Sequence, residues 1–123
     1  MAERADECEN RRTVVRPGDL AGTEVSNPKG ERLGKVEDVM IDTRTGRVAY
    51  VVLSTGGFLG LGDRLFAIPW QIFQLDPANQ RFILDVSKET LRSAPGFDKD
   101  DWPDLSLDEY GIEVHSHYEC SWP

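Results

Sequence analysis

The chain has 123 residues, of which 39% are hydrophobic and 29% are charged, and its formal net charge is −8 at pH 7. This length favours one domain, and the composition is typical of a globular protein rather than a disordered one. No apolar run approaches the roughly 20 residues that span a bilayer, and the polar N-terminus lacks the apolar core of a secretory signal, so we expect a cytoplasmic protein without direct membrane insertion.

Residues 1–19 are polar, and we expect a flexible N-terminal segment there. From residue 20 to residue 86 short apolar runs alternate with turn signals that contain Pro, Gly, Asn and Asp, which is typical of strands joined by tight turns. The predicted strands are 23–26, 33–42, 48–54, 65–68, 72–75 and 81–86. Because no helical periodicity separates them, residues 20–86 are predicted to form a small, strongly bent antiparallel β-barrel.

The predicted strand 48–54 carries apolar residues at both odd and even positions. A strand of this kind is expected to be covered on both faces. Trp70 follows Pro69 at the end of the next strand, and its large ring is expected to pack in the core.

Residues 87–123 form a short helix and an acidic C-terminal extension. Ser87 can cap a helix over 88–93, which Pro95 and Gly96 then stop. The charge is concentrated here, because residues 1–84 hold 11 Lys and Arg against 12 Asp and Glu (net −1), whereas residues 85–123 hold 3 against 10 (net −7). An acidic surface repels nucleic acid, so no nucleic-acid partner is expected. The aromatic residues expected to anchor this extension are Phe97, Trp102, Tyr110 and Tyr118, and alternation over 111–118 predicts a late strand.

The segment 56–62 contains four glycines with Phe58, Leu59 and Leu61 between them. It does not match a dinucleotide fingerprint, because the glycine order is G-x-x-G-x-G and a strand rather than a helix follows. Glycines at sharp corners between strands explain the backbone but not the three apolar side chains. These side chains either fold back onto the barrel or bind a partner protein or a second copy, and we take them as the candidate partner-binding residues.

Other candidate chemistry is sparse. If 111–118 is extended, Glu113, His115 and His117 share one face, but Glu113 and His117 would then be about 13 Å apart, and two histidines do not complete a zinc site. No nucleophile triad or carboxylate pair with a catalytic setting is recognisable. Cys8 and Cys120 lie near opposite ends and should stay reduced in the cytoplasm. We therefore predict no enzyme activity, no cofactor and no metal.

Several segments together resemble one known family. They are residues 30–42 (GERLGKVEDVMID), 46–53 (GRVAYVVL), 56–62 (GGFLGLG), 68–70 (IPW), 91–97 (LRSAPGF) and 102–103 (WP). This succession is similar to the PRC-barrel family, in particular to its stand-alone bacterial members. The resemblance implies a small bent β-barrel, as in the cytoplasmic domain of the photosynthetic reaction-centre H subunit and the C-terminal domain of a ribosome-maturation factor, both of which dock on other macromolecules.

The expected function is thus a non-catalytic protein-binding or assembly module that forms a homo-oligomer, such as a homodimer. One alternative, by family analogy alone, is an accessory protein of photosynthetic or other electron-transfer membranes, with peripheral association with a membrane complex. A second alternative is a metal-dependent activity at His115 and His117.

Overall fold

The structure is a computed structural model that describes residues 15–55, 64–76 and 81–120. Seven strands, three short α-helices and one 3-10 turn (Trp70–Ile72) make up this part of the chain. The strands are β1 (Glu24–Ser26), β2 (Arg32–Asp42), β3 (Arg47–Ser54), β4 (Arg64–Pro69), β5 (Phe73–Asp76), β6 (Arg81–Leu84) and β7 (Phe97–Asp98). The helices are α1 (Pro17–Leu20), α2 (Lys88–Arg92) and α3 (Asp108–His117).

The strands form one sheet of order β5-β6-β1-β2-β3-β4-β7. This confirms a mostly β, strongly bent, barrel-like fold, although the sheet of the described residues is open, with β5 and β7 at its two ends. The neighbouring strands are antiparallel except β1 and β6, which run parallel with Val25 opposite Phe82. Register shifts along β2 mark bulges in its pairing with β3, and bulges increase the local twist and bend of a strand.

All six predicted strands exist, and their bounds differ from the prediction by one or two residues. The prediction that 48–54 is covered on both faces is confirmed, because the four residues Tyr50–Leu53 are each at most 4% exposed. Strands β2 and β4 flank β3 in the sheet, so this apolar strand lies in its interior. The hairpin of β3 and β4 therefore forms the centre of the core.

The turn between β1 and β2 is held by Asn27, which is 3% exposed. Its Oδ1 accepts hydrogen bonds from the backbone N–H groups of Lys29 and Glu31 at 3.1 and 2.9 Å. Its Nδ2 donates to Glu31 Oε1 at 2.8 Å and to the carbonyl of Val86 at 3.3 Å. The buried amide is thus fully used, and it joins this turn to the end of β6.

The segment 111–118 is helical, so the predicted late strand was wrong. It belongs to α3, which buries Gly111, Val114 and His115, with Tyr118 also buried as its C-terminal cap. These positions follow the spacing i, i+3, i+4 and i+7, which is one face of a helix. Acidic residues in the first turn also suit the helix dipole.

The C-terminal extension shares the core of the barrel. Leu91 and Val114 are fully buried, and Phe97 and Tyr118 are 7% and 8% exposed, in the same apolar cluster as the strands. The short helix predicted after Ser87 is confirmed, since Ser87 Oγ accepts from the Thr90 N–H at 3.0 Å.

The prediction that the Trp70 ring packs in the core was wrong. The side chain is 38% exposed at the start of the 3-10 turn, where its ring meets Phe82 edge to face at 6.0 Å. The chain leaves the sheet after Pro69, which turns the ring toward the surface.

Candidate interaction surfaces

The predicted partner-binding residues Phe58, Leu59 and Leu61 lie outside the described residues. The structure does describe the two chain ends that carry them. Ser54 pairs with Leu65 at the end of the β3–β4 hairpin, and Thr55, the next residue, is fully buried. The described residues on either side of 56–63 are thus the paired ends of β3 and β4.

The same end of the hairpin is closely packed against β2. Gly34 adopts a φ of +153°, and a Cβ at this position would collide with the backbone carbonyl of Ser54. Only glycine combines that backbone conformation with such a close approach. The end of β3 at Ser54 is thus held close to β2.

The two histidines do not share a face. Two residues apart on a helix are separated by about 200° around its axis, whereas on a strand they would point the same way. His115 is buried, its Nδ1–H donates to the carbonyl of Gly111 at 2.8 Å, and its ring meets that of Tyr50 at 5.8 Å. His117 Nε2–H donates to the carbonyl of Thr90 at 2.8 Å, which connects α3 to α2.

These contacts give both histidines structural roles. Within the three described ranges, no cluster of three or more His, Cys, Asp or Glu side chains could hold a metal ion. Cys120 is partly buried, and its Sγ–H contacts the carbonyl of Tyr118 at 3.6 Å. The hypothesis of a metal site on a histidine-bearing strand therefore loses its geometric basis.

Tyr110 and Tyr118 were expected to anchor the extension, but sequence reasoning missed the contact of Tyr110 with Tyr50 of the sheet. The rings of Tyr50 and Tyr110 meet edge to face at 6.2 Å. Burial raises the pKa of Tyr50, and burial followed by the charges of Tyr50 and Glu113 raises the pKa of Tyr110 to about 12. Burial likewise raises the pKa of Tyr118 well above its usual range. All three phenols are consequently neutral at physiological pH and act as packing groups.

An open groove of about 430 Å³ lies where the β1–β2 turn, the segment after β6 and the end of α3 meet. Its lining includes Asn27, Lys29, Asp85, Thr90 and His117. The Asn27 amide and the His117 Nε2–H are already hydrogen-bonded to neighbouring backbone. The groove is therefore a polar junction between elements, held by hydrogen bonds within the protein.

The outer face of α3 carries exposed acidic side chains. Asp108, Glu109 and Glu113 are exposed there, and Ile112 among them is 50% exposed. The ion pairs between described residues lie elsewhere, at Arg16–Asp19, Arg32–Glu24, Arg81–Asp76 and Arg92–Glu89. The sequence indicated the acidity of this extension but not the helix that arranges it.

Together these features define a small β-rich domain built on one bent sheet, in which the histidines and tyrosines serve packing.

The family model for the PRC-barrel domain matches residues 12–91, and the chain belongs to this family. PRC-barrel domains mediate protein interactions. The match includes β1 to β6 and most of α2, whereas β7 and α3 lie beyond it.

Among solved structures, a chain described as a 16S ribosomal RNA processing protein, RimM, from Pseudomonas aeruginosa is similar at 20% identity and a TM-score of 0.43. The similarity covers 61% of the present chain and 45% of that chain, so the present chain matches less than half of RimM. The search of curated proteins found no match. In the described ranges, no helix is long and apolar enough to cross a membrane.

Proposed function

We propose that the chain is a non-catalytic protein-binding or assembly module that self-associates, with Phe58, Leu59 and Leu61 as its contact residues. The observation that carries the proposal is the buried hairpin whose two strands are joined by the segment that holds these residues. The segment joins β3 to β4, and these strands are buried on both faces and paired up to Ser54 and Leu65. A rigid scaffold that presents a loop is a common way to build a binding site.

The apolar side chains of this segment supply the binding energy in the proposal. Burying a Phe or Leu side chain in an interface contributes roughly 1.5–3 kcal/mol before the cost of association. Membership of the PRC-barrel family supports the same role, because these domains act in protein interactions.

The test is the solution mass of three proteins, measured by multi-angle light scattering over a range of concentrations. The wild type is expected to be oligomeric, and the double variant Leu59→Asp/Leu61→Asp monomeric. Ile41→Asp is the control, because Ile41 is a 47% exposed aliphatic side chain on β2 that pairs with Val48, at the other end of the β2–β3 ladder from Ser54.

A wild type that stays monomeric at every concentration would contradict self-association. A pull-down from native lysate with the same variants then tests binding to other proteins. If the double variant keeps both the mass and the captured proteins of the wild type, the three residues are not the contact site.

A role beside an electron-transfer membrane complex is the second candidate. We rank it lower because it depends on family likeness alone. Co-sedimentation of the protein with membranes, and its release by salt, would reverse that order.

A further inference from the structure

We draw no further inference here: the strongest candidate, the partly exposed apolar surface formed by Trp70, Phe73 and Leu75 at the β5 end of the sheet, carries nothing because nothing in the described part of the structure shows what covers it.

Discussion

Gly34 fixes the distance between β2 and the end of β3. It combines a φ of +153° with a backbone approach to Ser54 that leaves no space for a Cβ. Gly46, in the β2–β3 turn, has a φ of +74° but open space around its Cα. Substitution of Gly46 therefore tests the cost of the backbone conformation alone, whereas substitution of Gly34 adds the cost of a steric collision.

We expect Gly34→Ala to lower the free energy of unfolding by about 2 kcal/mol or more, since the new methyl group must displace the backbone at Ser54. Gly46→Ala should cost about 1 kcal/mol, because only the left-handed backbone conformation is penalised. Urea denaturation of both variants measures the difference. Equal losses in the free energy of unfolding would show that β2 and the backbone at Ser54 can move apart without cost.

The helix α3 ends in a motif in which the residue after the cap, here Glu119, is usually glycine. Glu119 has a φ of +57°, the Cys120 N–H donates to the carbonyl of His115 at 2.8 Å, and the Glu119 N–H donates to that of Ser116 at 3.1 Å. This is a Schellman arrangement, in which the residue after the cap takes the left-handed conformation. A glutamate there bears a strain that glycine would not, and its charge is unfavourable at a helix C-terminus.

Glu119→Gly is therefore expected to raise the free energy of unfolding by up to about 1 kcal/mol. Glu119→Gln is the control, because it removes the charge and keeps the strained backbone. Thermal denaturation of the two variants isolates the backbone contribution. A Gly variant no more stable than the Gln variant would contradict the strain argument.

For the whole molecule, the C-terminal extension and the barrel share one core. Val114 of α3 is fully buried in the same apolar cluster as Val25 and Leu33 of the sheet. Residues beyond the family match thus contribute to the stability of the matched domain. Proteins of this size with one core commonly unfold in a single cooperative transition.

Val114→Ala should lower the free energy of unfolding of the entire chain by roughly 2 kcal/mol, through lost burial and the cavity left behind. Ile112→Ala, at a half-exposed site on the same helix, should cost less than about 0.5 kcal/mol. Urea denaturation followed by tryptophan fluorescence and by circular dichroism should give coincident curves. If α3 of Val114→Ala unfolds at a lower urea concentration than the sheet, and the urea midpoint of the sheet is that of the wild type, the extension is a separate unit.

The proposed contact residues show the limit of sequence reasoning about the candidate site. The spacing of Phe58, Leu59 and Leu61 identified an apolar segment, and the structure adds the pairing of Ser54 with Leu65 on either side of it. The acidic face of α3 was not predicted, because its residues were assigned to a strand. Neighbours on a helix face are three and four residues apart, so a period-2 assignment separates side chains that the helix brings together.

Local alternation, turn chemistry and hydrogen bonding within a few residues were enough to predict the strands, the covering of β3 on both faces and the cap at Ser87. The parallel pairing of β1 with β6, the exposure of Trp70 and the helical state of 111–118 could not be read from the sequence. Each depends on contacts between residues distant in sequence. Strand β6 lies beside β1. The helix α3 packs the face that carries Val114 against the sheet, and this burial stabilises the helix more than an isolated strand at 111–118 would be stabilised.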